Sequence, residues 1–527
     1  MRSRLGRLCF ALAAALALSA CSSLRKETPV VVSKWEVFEQ KFTSSIEYTN
    51  PPQQTEMRVV FTSPSGQSRS TFGFWDGGRD WKVRFAPDEV GHWYFSTTCS
   101  DRNNAGLHRQ EGSFYCLPSA RRTRFEQHGP ITVAADGTHF VHSDSTPFFW
   151  LADASWNGPL QSAKEEWADY LAERAAQGFT AIEWAATQWP GSPTGDRFGT
   201  AAFSGDNKIK IHPEFFNRLD EKIVAINRAG LLSVPVLLWV GTNAQTSPGF
   251  ALQEDQAILL ARYMVARWGA YANAWILAGE GDFVGAKAER WKRIGRAVFG
   301  PAPHAPVTLY SAERQWLLDD FGAEPWFDFV GYQAGRGTSD SDLQWLSSGP
   351  LAKDWSRTPA RPFVNLGTPL DVRVRVGSAA AKTAALSARR MVYWSLLGAP
   401  ASGYARDGMA VGIDLDSVGH LPELIGSIDF WKLRPAPEML APQPGMQTPS
   451  RFIAASRSAD GNLAVVYLGE ERAVRLLQRS LPPNFTASWF NPRTGEVSSV
   501  LASVSNPTIQ FATPDEGDWV LVLKGRQ

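Results

Sequence analysis

From Ser33 to about Leu117 the chain reads as a run of short strands. Trp81-Lys82-Val83-Arg84-Phe85 alternates apolar and charged residues with the period of two that marks a half-buried strand. Phe72-Gly73-Phe74-Trp75-Asp76-Gly77-Gly78 is a strand followed by a glycine-rich turn, and Ala86 to Gly91 is a turn before Trp93-Tyr94-Phe95. Short strands at this spacing predict a β-sandwich over 33–117. Over 125–435 the pattern becomes strand, loop, helix, repeated. Apolar runs at Phe148–Leu151, Ala181–Trp184, Ser233–Trp239, Ala274–Leu277, Val307–Tyr310, Phe329–Tyr332, Phe363–Leu366 and Ser402–Ala405 alternate with amphipathic segments such as Lys164–Gln177 and Pro213–Ala229. Eight strands alternating with helices predict an α/β fold, a closed (β/α)8 TIM barrel. No glycine-rich phosphate fingerprint follows the first strand, as an open dinucleotide-binding sheet would require. The remainder, 436–527, is again strand-like and predicts a second β-sandwich, with Leu463–Leu468, Phe485–Phe490 and Trp519–Leu523 among its strands.

Composition narrows the partners. The chain has 527 residues, with 53 Lys and Arg against 52 Asp and Glu, so it lacks the positive excess that nucleic acid demands of a protein surface. It holds 21 Trp, whose flat apolar rings suit sugars as well as cores. Its eight His are scattered without paired ligand spacing, so no metal or other cofactor is expected.

The first residues read as an address. Arg2, Arg4 and Arg7 precede the apolar run Leu8–Leu18, which is too short to span a bilayer and ends in Leu18-Ser19-Ala20-Cys21. This resembles a bacterial lipoprotein signal over 1–20, in which Cys21 becomes the acylated first residue and 21–32 a tether. The resemblance implies a lipid-anchored protein of the cell envelope. Ser22 and Ser23 supply no acidic retention residue, which favours the outer membrane. Cys99 and Cys116 are then the only internal cysteines. They flank a hairpin loop, and a disulfide between them would close about 18 residues and add on the order of 3 kcal/mol. Two reduced, buried thiols are the alternative.

In a (β/α)-barrel, chemistry sits at the carboxyl ends of the strands. Reading just past each strand gives Asp153 and Trp156, then Glu183, Trp184, Gln188 and Trp189, then Trp239, Glu280 and Asp282, Ser311 and Glu313, Gln333 and Arg336, and finally Tyr404 and Asp407. Carboxylates and aromatics on one rim are what glycosidic bond cleavage needs. Asp153 has the alternative role of capping the next helix, and Glu183 that of a buried ion pair. Glu280, held between two glycines, has least packing reason to exist. Asp282 reads as supporting or solvated, and no Gly-x-Ser-x-Gly elbow is present.

Several segments, in order, resemble the apiosidase-like glycoside hydrolases. They are Thr146-Pro147-Phe148-Phe149-Trp150-Leu151-Ala152-Asp153-Ala154-Ser155-Trp156, His212-Pro213-Glu214-Phe215-Phe216-Asn217-Arg218-Leu219-Asp220, Trp275-Ile276-Leu277-Ala278-Gly279-Glu280 and Tyr332-Gln333-Ala334-Gly335-Arg336. The leading sandwich resembles the small β domain that commonly precedes that barrel. The tail, with Trp489-Phe490-Asn491-Pro492-Arg493-Thr494-Gly495, resembles the collagen-binding-type domain that follows it. The resemblance implies a glycosidase with one carboxylate after strand four and a second after strand seven. Two positions depart from it. The strand-four acid, usually Asp, is Glu280, and Gly367 stands where the second carboxylate belongs. Asp371, Glu313 and Glu183 are the candidates to replace it. The leading expectation is a hydrolase of polysaccharide or oligosaccharide side chains. Glu280 and Asp371 would be catalytic, with Asp153, Trp156, Glu183, Trp184, Trp239, Gln333 and Arg336 around the sugar. The alternative expectations are a non-catalytic glycan-binding lipoprotein on a degenerate barrel, and a scaffold in an envelope complex.

Overall fold

The structure is a computed structural model and describes residues 30–241, 247–335, 339–367, 379–407, 418 and 420–526. Its centre is eight parallel strands: β1 (Trp150–Ala154), β2 (Ala181–Ala185), β3 (Leu232–Trp239), β4 (Trp275–Gly281), β5 (Val307–Ser311), β6 (Val330–Tyr332), β7 (Phe363–Asn365) and β8 (Ala401–Asp407). The order in the sheet is β5-β4-β3-β2-β1-β8-β7-β6, chain order closed into a ring with β5 beside β6. At that junction the Thr308 hydroxyl donates to the carbonyl of Phe329 (2.8 Å) and accepts from the N–H of Gly331 (2.9 Å). A side chain thus supplies at this seam the bonds that backbone ladders supply elsewhere. Each strand is covered on both faces, which explains its near-continuous apolar text. All of Leu232–Trp239, for example, is buried.

The outer ring includes α1 (Lys164–Ala176), α2 (Pro213–Arg228), α3 (Glu254–Trp268), α4 (Ala286–Phe299), α5 (Asp340–Ser348) and α6 (Ala379–Leu397). Pro213 opens α2 with φ already set for a helix and no N–H to satisfy. Phe215, Phe216, Leu219, Ile223 and Ile226 then form one buried stripe against the strands. The first strand begins later than its apolar run predicts, because Pro147 and Phe148 join a small antiparallel sheet with Ile131–Val133 and Phe140–His142. That sheet plugs the barrel base: the ring of Phe140 lies 5.5 Å from Trp150 and 5.2 Å from Phe329.

Two sheet domains flank the barrel. The leading one packs a five-stranded sheet on a three-stranded sheet around Phe38, Phe61, Trp93 and Phe114. The trailing one packs six strands on three around Val466, Trp489, Phe511 and Leu521. Buried charge joins each to the barrel. Arg267 of α3 is fully buried and meets Asp76 of the leading sandwich at 2.9 Å and Asp220 of α2 at 2.7 Å. Arg84 of the same sandwich reaches Asp220 at 2.6 Å. Burial pushes the Asp220 carboxyl up, but Arg267 and Arg84 together hold it below the usual carboxylate range. On the other side Arg389 of α6 makes paired bonds to Asp518 at 2.7 and 2.9 Å, and Tyr393 stacks on Tyr467 at 4.6 Å.

The disulfide expectation is corrected here. Cys99 pairs with Met57 and Cys116 with Gly91, so the two cysteines sit at opposite ends of the strand Gly91–Cys99. Eight residues of extended chain separate those ends by about 27 Å, whereas a disulfide needs Cα atoms within about 7 Å. Both thiols are free and buried, and burial pushes that of Cys116 up to about 11. The hairpin loop is held instead by fully buried Asn104. Its amide donates to Ser44 (2.7 Å) and Tyr48 (3.0 Å) and its carbonyl accepts from the backbone of Ser45 (3.0 Å). Thermal melts should therefore be unchanged by dithiothreitol, whereas Asn104→Ala should lower stability by about 1–3 kcal/mol. A melting point that drops on reduction would restore the disulfide.

Candidate active site

Neighbouring parallel strands point their paired residues to the same side, and alternate pairs to opposite sides. Asp153 of β1 pairs with Ile182 of β2 and Arg406 of β8, and Ala154 pairs with Glu183 and Asp407. The first of these rows faces the helices. The Asp153 carboxylate accepts from Arg174 (2.5 Å) and Tyr170 (2.8 Å), both on α1, and from Arg406 (2.9 Å). It is buried to 1 % exposure. Burial and this carboxylate together drive the Tyr170 hydroxyl pKa strongly upward. Asp153 is thus an ionic hub between barrel and helix layer, where the sequence placed it beside the sugar. Trp184 is corrected in the same way. It is fully buried, its indole donates to Ser233 (3.1 Å), and its ring lies 5.5 Å from Trp268 of α3. Glu183, between them, faces the interior and is also fully buried.

The mouth is aromatic. Trp239, at the end of β3, lies 5.2 Å from Trp156, 4.6 Å from Trp189 and 6.4 Å from Tyr310 of β5, ring to ring. Trp156 in turn lies 5.4 Å from Tyr310. Asn157 fixes the Trp189 indole N–H at 2.6 Å. Gly191 leaves room for this ring, since a Cβ there would sit 2.4 Å from it. Tyr310 is a site residue that the list read from strand ends passed over. Its signal was available, because it precedes Ser311 at the end of an apolar strand.

Glu280 sits at the rim of this collar. β4 runs on to Gly281, past the predicted end at Leu277, and its pairing with β5 shifts register on either side of Gly279. Such bulges bend a strand and re-aim a side chain. The two glycines permit the close packing this needs: a Cβ on Gly279 would lie 2.6 Å from Val236, and one on Gly281 2.3 Å from Phe283. Gly279 pairs with both Trp239 and Tyr310, so Glu280 follows directly on the strand position that these two residues flank. Glu280 is exposed and has φ of 54°, in the left-handed region that side-chain-bearing residues avoid.

The loops around it are braced by amides. Gln333 is buried and its side-chain amide donates to the carbonyl of Ser311, while its backbone carbonyl accepts from Arg314 N–H (2.8 Å). Its amide N–H therefore positions the loop after β5. That loop also carries Glu313, which is exposed. Asp282 points to solvent, bound to Lys287 (2.6 Å) and Gln315 (2.8 Å), which hold its carboxyl below the usual range. Arg336 and Asp371 lie outside the described residues, as does Cys21. Gly367 is described, with φ of 124°, a conformation open to glycine and strained for glutamate. Among the described residues no group of three His, Cys, Asp or Glu could hold a metal ion. A cleft lined by Trp35, Phe72, Phe85, Tyr271 and Trp275 opens at the amino end of β4, opposite the mouth.

Comparison with known proteins agrees with this architecture. The model of the apiosidase-like catalytic domain matches residues 134–405, that of the domain of unknown function DUF5060 matches 31–100, and that of a collagen-binding-like domain of a collagenase matches 435–524. No curated protein matches the chain. Among solved structures, one described as a glycoside hydrolase is 17 % identical, with 76 % of this chain and 98 % of that one covered and a TM-score of 0.63. A candidate glycoside hydrolase from Bacteroides vulgatus is 16 % identical, covering 94 % and 99 %, with a TM-score of 0.70. A family 5 glycoside hydrolase from the same organism is also 16 % identical, covering 76 % and 95 %, at 0.63. At such identities the likeness is one of fold.

The two kinds of buried and strained acid separate in a stability measurement. Asp153→Ala leaves two guanidiniums facing an empty site and should destabilise the fold by about 3–5 kcal/mol. Glu280→Gly relieves a left-handed backbone and should raise stability by about 1 kcal/mol. Denaturant titrations of both variants check this, and a destabilised Glu280→Gly would show that the Glu280 side chain holds the fold together.

Proposed function

The chain belongs to the apiosidase-like family, and from that membership we propose that it is a glycoside hydrolase cleaving a sugar from a polysaccharide or oligosaccharide side chain. The observation that carries this reading is Glu280, an exposed acid on a bulged, strained strand end, one residue past the position that pairs with Trp239 and Tyr310. In the proposed reaction Glu280 is the general acid/base, giving its proton to the leaving glycosidic oxygen. Trp156, Trp189, Trp239 and Tyr310, buried against one another, form the apolar wall of the mouth and help exclude water from the reacting bond. For the partner carboxylate we take Asp371, with the exposed Glu313 as the other candidate, since the backbone at Gly367 suits no side chain and Glu183 is sealed from solvent. Acyl chains on Cys21 would hold the enzyme at the bacterial envelope, in the outer membrane.

Turnover of a panel of aryl glycosides and pectic oligosaccharides tests the assignment. Glu280→Gln and Asp371→Asn should each lower kcat/KM by several orders of magnitude, since members of a catalytic pair act as a unit. Trp239→Ala opens a cavity among three packed rings and should lower stability by about 3–5 kcal/mol, read by denaturant titration. Undiminished turnover by Glu280→Gln would remove that residue from the mechanism. The left-handed Gly367 also favours a second reading, a glycan-binding lipoprotein without catalysis. Saturable glycan binding with no product after long incubation would select it.

A further inference from the structure

The end of the leading sandwich at which the described chain begins carries an apolar cluster that the barrel does not use. Among the described residues, six of the thirteen exposed large apolar side chains lie there: Val30, Val31, Val90, Tyr94, Tyr115 and Leu117. Val31, Tyr94, Tyr115 and Leu117 share one sheet face, with Val30 and Val90 in the chain just before two of its strands. Val31, Tyr115 and His92 form a row across three neighbouring strands, with Tyr94 next along one and Leu117 next along another. The intervening residues Trp93, Phe114 and Cys116 point the other way, into the core. The same face turns polar away from this end, at Ser96, Thr98 and Glu111.

The ring geometry distinguishes what this patch can meet. His92 lies between two tyrosines, 4.3 Å from Tyr115 at an interplanar angle of 3° and 4.3 Å from Tyr94 at 48°. Tyr115 lies parallel to His92 and Tyr94 is tilted to it, so the two tyrosines form no single flat platform on which a sugar stacks. It offers hydroxyl-tipped edges beside Val31, Val90 and Leu117. Apolar bodies with polar tips are the composition favoured where protein meets lipid headgroups. The location agrees. Val30 follows Cys21 by nine residues, which even fully extended span at most about 31 Å.

We propose that this end of the leading sandwich lies on the headgroup layer of the bilayer that holds the acyl chains of Cys21. The chains supply the attachment, and the patch sets which side of the molecule faces the membrane. A body on a tether alone turns freely, whereas a tether plus an apolar face holds the barrel at a fixed attitude to the surface. The inference rests on acylation of Cys21, so that step is measured separately, by mass spectrometry of the mature protein.

The full chain, produced in a bacterium with its own leader, is reconstituted into vesicles of phosphatidylethanolamine and phosphatidylglycerol. A nitroxide is attached at Ser113→Cys, beside Tyr94, or at Ser499→Cys in the trailing sandwich. Cys99 and Cys116 are buried and leave the introduced thiol as the reactive one. The expected result is a several-fold lower accessibility of the Ser113 label than of the Ser499 label to a water-soluble nickel relaxant. Tyr94→Ser with Tyr115→Ser should abolish that difference while vesicle attachment persists. Equal accessibility of the two labels in an acylated protein overturns the proposal and leaves the anchor standing. A mature chain without acyl groups overturns both. Protection that persists in detergent-free solution and scales with protein concentration assigns the face to a second copy, and protection produced only by added oligosaccharide assigns it to glycan. Either result also overturns the membrane assignment.

Discussion

Side chains on a parallel barrel strand alternate between the interior and the helix layer, and that alternation governs which polar residues of this protein can meet a ligand. On β1 and β8 the row containing Asp153 and Arg406 turns outward, where Arg174 and Tyr170 of α1 close around it. The next row, through Ala154 and Glu183, turns inward. One step along a strand therefore separates an acid that fastens a helix from an acid that faces the barrel interior. A buried carboxylate with two guanidiniums and a hydroxyl has no valence left for a substrate. Removing it strands positive charge in a low-dielectric layer, which is why its contribution is to folding.

Charge at the domain joints follows the same economy. Arg267, Arg84, Asp76 and Asp220 form one cluster in which each carboxylate meets a cation from another part of the chain. The family-like segment from His212 to Asp220 thereby acquires a structural meaning. Its Pro213 starts α2, its two phenylalanines face the strands, and its terminal Asp220 receives the leading sandwich. Arg389 and Asp518 do the equivalent on the far side. The barrel is gripped from both flanks by bonds that are strong only while fully buried, so the sandwiches and the barrel are fixed to one another as well as to themselves.

Most of the eight strands were legible in the sequence because they are covered on both faces and read as largely apolar runs, β8 (Ala401–Asp407) being the faint one. That same uniformity hid their parity. A run such as Ala181-Ile182-Glu183-Trp184 has no polar alternation to say which side is which, so Trp184 was placed in the mouth when it belongs under α3. The aromatic collar was legible except for Tyr310: Trp156, Trp189 and Trp239 stand at or just past strand ends, while Tyr310 lies inside β5. Cys99 and Cys116 misled for a related reason. They close one hairpin in sequence, but their distance depends on strand register, which spacing alone does not report. Glu280 was legible because two glycines around an acid at a strand end are hard to explain by packing.

Those glycines also account for why β4 and β7 end so differently. At β4 the small residues let the backbone bulge against Val236 and Phe283, and the acid between them is carried into a left-handed conformation. The strain is borne by the residue that is exposed at the mouth, where side-chain direction matters more than backbone comfort. At β7 the left-handed position is taken by glycine itself, at no steric cost, and no side chain is delivered there. The two strand ends thus differ in kind: β4 delivers a side chain from a strained backbone, and the chain just past β7 keeps an unstrained glycine that delivers none.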